Sequence, residues 1–209
     1  MTVEGETASG WAPVRDAVAR VEADQGGALA VAAFHRGRPV VDLWAGTARS
    51  DALFHTWSAI KPTSGLTADW WAEQRGSGGS LRWHATPEGV DHALINGPEW
   101  RRGEVPAVNG HASARALAGF YARFLSSDLP AGIGQPGAAG IDLVLGRRVR
   151  WSLAGGQIDA DDVGMGGIGG QWACARPGLG LAWAFLTSVM GTSDRAEAVE
   201  RAILECASA

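Results

Sequence analysis

The chain has 209 residues, of which 46% are apolar and 19% are charged, so its composition is that of a folded protein and excludes a disordered or coiled-coil chain. We expect a single domain over residues 1–209, since this length is near the upper limit for one hydrophobic core. The formal net charge is −4 with both signs scattered, which leaves no basic surface for nucleic acid or an anionic membrane.

From the cysteines and the amino-terminal residues we expect a protein without disulfides, a metal site or a membrane span. Cys174 and Cys206 lack metal-ligand spacing, so we expect two free thiols, no metal site and no cofactor. Residues 1–6 are acidic and lack the apolar segment of a secretory signal, and no run of residues approaches the length of a membrane span. We therefore expect a cytoplasmic protein whose partner is a small-molecule substrate.

The amino-terminal half predicts a helix, a hairpin and a second helix. Residues 11–24 repeat apolar side chains at helical spacing and contain a proline suited to a first turn. Two apolar, β-branched runs follow at 28–35 and 39–46, and the Arg-Gly-Arg sequence between them predicts a β-hairpin. After a polar loop, a helix is predicted to begin at Ser58 and to run to Arg75.

The carboxy-terminal half predicts a helix, three strands and a final helix. Residues 76–80 have linker composition and little periodicity follows, so residues 76–106 are expected to be irregular. The later predicted elements are a helix from residue 109 or 111 to 125, a loop over 128–140, strands over 148–153, 169–175 and 179–188, and a helix over 194–206. Together the elements predict an α/β protein of the α+β type, with one antiparallel sheet of about five strands flanked by helices.

Ser58 and Lys61 are the strongest candidates for chemistry. Residues i and i+3 of a helix share a face, so Lys61 would lie beside the Ser58 hydroxyl. Lys61 is the only lysine among the 18 basic residues, and a desolvated lysine can act as a general base whereas arginine cannot. Ser58 at a helix N-terminus would have free backbone N–H groups nearby for an oxyanion. The structural alternative is an ordinary N-cap serine followed by an exposed lysine.

Four stretches of sequence carry a family resemblance. They are residues 37–46, Phe54 with residues 57–61, residues 104–111 before a helix, and the glycine cluster of residues 164–170. As a set they resemble the serine β-lactamase-like family, in its class C-like esterase and acyltransferase branch. The resemblance implies an antiparallel sheet with flanking helices. It also implies acyl transfer, in which a serine attacks an ester, amide or lactam carbonyl and the acyl group passes to water or another acceptor.

The resemblance also implies roles for individual residues. Ser58 would be the nucleophile and Lys61 its base, and the backbone N–H groups of Ser58 and Ile168 would form the oxyanion hole. The residues that we assign to the pocket are Trp57, Trp83, Met165, Gly166 and Gly167. Met165 stands where this branch commonly has histidine.

The chain departs from the family in its middle section. Family members usually insert a large, mostly helical lobe before a second catalytic motif that begins with tyrosine. Residues 83–86 look like that motif only about twenty residues after Lys61, so the lobe is expected to be largely missing. Trp83 stands at the tyrosine position, and an indole N–H donates a hydrogen bond but cannot shuttle a proton. His84 is a candidate substitute, whereas Tyr121 is expected to belong to the core.

Three functions stay open from the sequence. The first is a serine-dependent hydrolase or acyltransferase that acts on a small ester, amide or activated acyl substrate through Ser58 and Lys61. The second is a reused scaffold for cyclisation or isomerisation in specialised metabolism, with Lys61 or His84 as acid or base. Its apolar pocket would be lined by Trp57, Trp70, Trp71 and Trp83. The third is a non-catalytic pseudoenzyme or binding protein, in which a homodimer covers the surface left by the missing lobe.

Overall fold

A computed structural model describes residues 2–60, 95–103, 108–126, 136–143, 146–152, 155–159 and 162–209. Its strands are β1 (Glu4–Thr7), β2 (Ala28–His35), β3 (Arg38–Gly46), β4 (Phe54–His55), β5 (His111–Ala112), β6 (Pro136–Asp142), β7 (Arg147–Ser152), β8 (Gln157–Asp159), β9 (Asp162–Gly166), β10 (Trp172–Arg176) and β11 (Leu181–Thr187). Its helices are α1 (Ala12–Gln25), α2 (Pro98–Arg102), α3 (Ala114–Leu125) and α4 (Asp194–Ser208), with 3₁₀ turns at Trp57–Ile60 and Pro177–Leu179.

Nine of these strands form one antiparallel sheet, in the order β1-β3-β2-β11-β10-β9-β8-β7-β6, while β4 and β5 pair separately. The β2–β3 hairpin forms because two apolar runs flank a turn in which Arg36 and Gly37 both have positive φ. β11 lies between β2 and β10, so the hairpin from the first part of the chain joins the strands of the last part.

The core lies on both faces of the sheet. All seven residues of β11 are buried, because helices cover the two sides to which successive side chains point. Leu181, Trp183 and Phe185 pack with residues of α1 and α4. The intervening β11 residues pack with residues of α3 on the opposite face. That second face is rich in small side chains, namely Ala30, Ala32, Ala173, Ala175, Ala182 and Ala184. The predicted antiparallel sheet with flanking helices is therefore confirmed.

The predicted number of strands is wrong, since the sheet has nine strands instead of five. The five predicted strands are present, with ends that differ by a few residues, as β2, β3, β7, β10 and β11. The four others, β1, β6, β8 and β9, are short, polar or rich in glycine and alanine. Such segments lack the β-branched alternation that marks a strand in sequence, and neighbouring strands hold them in the sheet.

Helix boundaries also differ from the sequence predictions. Trp57–Ile60 forms a 3₁₀ turn in place of the start of an α-helix, and the rest of that predicted helix lies outside the described residues. α3 begins at Ala114, because the Ser113 side chain caps it by accepting from the Ala116 N–H at 3.2 Å. α2 lies within the region predicted to be irregular. None of the helices described is long and apolar enough to cross a membrane.

Candidate active site

Ser58 lies in a short turn that is anchored on both sides. Before it, Thr56 donates to the Gly110 carbonyl oxygen from both its backbone N–H and its Oγ1, each at 2.9 Å. After it, the Ala59 N–H donates to the Thr56 carbonyl oxygen at 3.1 Å, and the Ala59 side chain is buried. Ser58 itself is half-buried. The hydrogen bonds of Thr56 and Ala59 thus fix the turn in which the half-buried Ser58 lies.

The residue before Ser58 has an unusual backbone. Trp57 has a φ of 50°, a left-handed conformation that residues with a Cβ rarely adopt. Its indole ring lies 4.2 Å from the His55 ring, measured between centroids. Strained backbone of this kind persists only where the surroundings over-determine it, and it is concentrated at functional sites. The fold therefore holds Trp57, at the start of the 57–60 turn, in a backbone conformation that tryptophan by itself disfavours.

The 57–60 turn packs against β9, whose end leads into the glycine cluster. A methyl group added at Gly167 would lie 2.9 Å from the Thr56 carbonyl oxygen and 2.7 Å from Gln171 Oε1. A side chain at this position would push the two segments apart, so the close approach requires glycine. The structure in this way brings the Ser58 turn together with the glycine cluster that the sequence predicts to be part of the same site.

Residues 167–170, called the glycine turn below, connect β9 to β10. The Gly167 N–H donates to the Gln171 carbonyl oxygen at 2.8 Å, and the Gly170 N–H donates to the Gly167 carbonyl oxygen at 3.0 Å. Ile168 lies at the tip with 75% of its surface exposed. No described residue accepts a hydrogen bond from the backbone N–H of Ser58 or of Ile168. Both donors are therefore unused by the part of the fold that is described.

Two histidines and a tryptophan lie beside the Ser58 turn. The rings of His55 and His111 are stacked, with centroids 5.0 Å apart, because β4 and β5 pair these residues. Trp100 Nε1 donates to His55 Nε2 at 3.4 Å, and His111 Nδ1 donates to the Asn109 carbonyl oxygen at 2.8 Å. Only the two-residue pairing of β4 with β5 brings the histidines together, and sequence spacing carries no sign of it.

Burial lowers the pKa of His55, and the charge on His111 lowers it further. A hydrogen bond to the Val108 carbonyl raises the pKa and offsets part of this shift. His55 also accepts from Trp100 at Nε2, and its ring packs with Trp57, Trp100 and His111 in the wall of the site.

The structure describes six of the residues predicted for the site. Ser58 and Trp57 lie in the 57–60 turn, Met165 and Gly166 end β9, and Gly167 and Ile168 begin the glycine turn. The predicted base Lys61 lies outside the described residues, as do Trp83 and His84. Tyr121, on the buried side of α3, belongs to the core, as expected.

The two cysteines are free thiols, as expected. Burial raises the pKa of Cys174, which points away from a role as a reactive thiolate. Among the residues that the structure describes, no group of three or more His, Cys, Asp or Glu side chains is placed to hold a metal ion.

No protein-family model and no curated protein match the sequence. Solved structures do resemble the fold. A family VIII carboxylesterase superposes with a TM-score of 0.79 at 18% identity, over 99% of this chain and 100% of that chain. A penicillin-binding protein homolog from Caulobacter crescentus gives 0.76 at 19% identity, over 99% and 100%. A β-lactamase from Mycobacterium bovis gives 0.60 at 14% identity, over 91% and 99%. Nine antiparallel strands with helices on both faces, matched over almost the whole chain, show that this protein has the serine β-lactamase-like fold.

Proposed function

We propose that the protein is a serine hydrolase or acyltransferase acting on a small ester, amide or activated acyl substrate, with Ser58 as its nucleophile. The observation that carries the proposal is the packing of the Ser58 turn against the end of β9, beside the glycine turn. In this arrangement the backbone N–H groups of Ser58 and Ile168 are both without acceptors among the described residues. Two such donors, one at the serine and one in the adjoining glycine turn, suit the developing negative charge of acyl transfer.

In the proposed reaction, Ser58 Oγ attacks the substrate carbonyl carbon while its proton passes to Lys61. The carbonyl oxygen becomes an oxyanion that accepts hydrogen bonds from the Ser58 and Ile168 N–H groups. The bond to the leaving group then breaks, and the proton returns from Lys61 to that group. Water or another acceptor attacks the acyl-serine ester in the second half of the reaction, which restores the Ser58 hydroxyl.

The first experiment measures covalent modification. The protein is incubated with a fluorophosphonate and then analysed by intact-protein mass spectrometry. We expect one adduct, which is absent from Ser58→Ala and retained in Ser50→Ala, where an exposed serine eight positions earlier is removed. Lys61→Met is expected to slow modification by about a hundredfold, in the range for loss of a general base.

The other outcomes separate the remaining functions. A wild-type protein that forms no adduct, but loses turnover of a small substrate in Lys61→Ala or His84→Ala, would be an acid/base catalyst on a reused scaffold. Ligand binding that is unchanged in the Ser58, Lys61 and His84 variants, without turnover in any of them, would indicate a binding protein. Either result contradicts acyl transfer at Ser58.

A further inference from the structure

Arg195, the second residue of α4, is a buried cation with 3% of its surface exposed. Its Nη1 donates to Thr187 Oγ1 at 3.1 Å. Its Nη2 donates to the carbonyl oxygens of Val189, at 2.5 Å, and Gly169, at 3.2 Å. None of the described carboxylates forms an ion pair with it. Burying a guanidinium without an opposite charge is unfavourable, so packing alone does not account for an arginine at this position.

The acceptors of Arg195 belong to two separate segments of the chain. Thr187 ends β11 and Val189 follows it, whereas Gly169 belongs to the glycine turn. The Gly191 N–H also donates to the Gly169 carbonyl oxygen, at 3.2 Å. Arg195 thus ties the glycine turn to the segment after β11, and the Gly169 carbonyl is the point of attachment.

The glycine turn needs such an attachment because its sequence restricts it so little. Three of its four residues are glycine, which populates both signs of φ, and Gly170 here has a φ of 88°. Ile168 is the exception, but its side chain points into solvent and adds little packing. The hydrogen bond from Arg195 to the Gly169 carbonyl oxygen restricts a backbone that glycine alone would leave flexible.

We propose that Arg195 is a positioning residue for acyl transfer at Ser58. By holding the Gly169 carbonyl, it keeps the neighbouring Ile168 N–H directed at the oxygen on which charge develops. This inference rests on the proposed function, since the Ile168 N–H matters only if an oxyanion forms beside it. Donors that are fixed before the reaction stabilise a transition state more than donors that must be ordered during it. Arg195 itself does not touch the substrate.

Arg176 offers a matched control. It also anchors α4 to the sheet, because it bonds Asp162 of β9 at 2.5 and 2.6 Å and Glu200 of α4 at 3.4 Å. No hydrogen bond of Arg176 reaches the glycine turn among those described. A loss that arises from loosening α4 should therefore be shared by Arg176→Met and Arg195→Met, whereas a loss of positioning should belong to Arg195 alone.

The test compares kcat and KM for p-nitrophenyl acetate, the rate of fluorophosphonate modification of Ser58, and Tm. We expect Arg195→Met to lower kcat about tenfold to a hundredfold with KM changed less than about twofold, since the effect falls on the transition state. Arg195→Lys should lie between wild type and Arg195→Met, because an ammonium donates to the same carbonyl without the planar fork. Arg176→Met should lower Tm but keep kcat within about twofold of wild type.

Each result decides between the inference and the function on which it rests. A folded Arg195→Met with wild-type kcat overturns the positioning role, and so does an equal loss of kcat in Arg176→Met. In both cases, labelling of Ser58 in the wild type would still support the proposed function. If Arg195→Met does not fold, Arg195→Lys decides, and a wild-type kcat in that variant counts against the inference. A wild-type protein that neither labels at Ser58 nor turns over the ester overturns both.

Discussion

Trp57 holds its left-handed backbone immediately before Ser58, in a turn that is anchored on either side. A left-handed conformation costs a residue with a Cβ about 1–2 kcal/mol. Glycine escapes this penalty. The turn therefore stores strain next to the proposed nucleophile, and the strain can be measured by substitution.

The pair Trp57→Gly and Trp57→Ala isolates the backbone contribution, because both variants lose the same indole contacts. We expect Trp57→Gly to be more stable than Trp57→Ala by about 1 kcal/mol, even though alanine restricts the unfolded chain more. Urea denaturation measures both free energies of unfolding. A Trp57→Ala variant of equal or greater stability would show that the positive φ is not imposed by the fold.

Gly167 is the residue through which the glycine turn contacts the segment that leads into the Ser58 turn. In Gly167→Ala the new methyl would meet the Thr56 carbonyl oxygen at 2.9 Å, so we expect turnover to fall by more than about tenfold as the turns separate. Stability should fall by about 1–3 kcal/mol, as for other overpacked sites. Esterase kinetics and urea denaturation measure the two effects.

Gly178→Ala is the control for that substitution. A methyl at Gly178 would meet nothing within 4 Å, so we expect stability to change by no more than about 0.5 kcal/mol and turnover to stay at its wild-type value. Equal behaviour of the two alanine variants would mean that close approach at Gly167 does not matter for the site.

At the scale of elements, the sequence predicts the strands that carry an apolar pattern of their own. It does not predict the strands that form only because a neighbouring strand pairs with them. β2, β3 and β11 are long and apolar, and the hydrophobic pattern locates them to within a few residues. β6 consists mostly of glycine and alanine, and it becomes a strand because β7 pairs with it. Composition records no such long-range pairing.

The candidate site also contains residues that the sequence predicts and residues that it does not. Ser58 and the glycine cluster were found because both belong to recognisable stretches of sequence, and the structure places their turns in contact. The stacked pair of His55 and His111 was missed, since it depends on two-residue strands that carry no periodicity. Arg195 was missed because two of its three acceptors are backbone carbonyls, which every sequence contains.

β1 pairs with β3 at the edge of the sheet, and a side chain of α1 adds two further hydrogen bonds to it. Arg15 of α1 donates to the carbonyl oxygens of Val3 and Gly5, each at 2.7 Å. In Arg15→Met we expect amide hydrogen exchange of residues 4–7 to speed up by about tenfold or more, since hydrogen bonds from a charged donor contribute about 1.5–3 kcal/mol. Arg20→Met, an exposed position on the same helix, should leave these rates unchanged. Wild-type exchange in Arg15→Met would refute the role of Arg15.

At the scale of the whole molecule, His55 links global stability to pH. Its pKa in the folded protein lies below the ordinary value of 6.5, so the unfolded chain binds the proton first as the pH falls. The free energy of unfolding contributed by His55 is therefore intact above about pH 6.5 and decreases below it, until the folded-state pKa is passed.

His55→Gln tests this linkage, because its amide oxygen can still accept from Trp100 while the group no longer titrates. We expect the wild type to lose more stability than His55→Gln between about pH 7.5 and about pH 5.5 in urea denaturation. His35, whose pKa burial also lowers, is kept in both proteins and gives the remaining slope. Parallel pH profiles would contradict the assignment to His55.

The position of β11 beside β2 sets the order in which the molecule can assemble. The register pairs Leu29 with Thr187, so this contact must wait until the chain has been synthesised beyond residue 187. The β2–β3 hairpin can form early, but its open edge stays exposed until β11 arrives. Arg195 lies later still in the sequence. A nascent chain thus carries Ser58 well before the partners of the glycine turn exist, and the proposed reactive arrangement can mature only once the chain up to Arg195 has emerged from the ribosome.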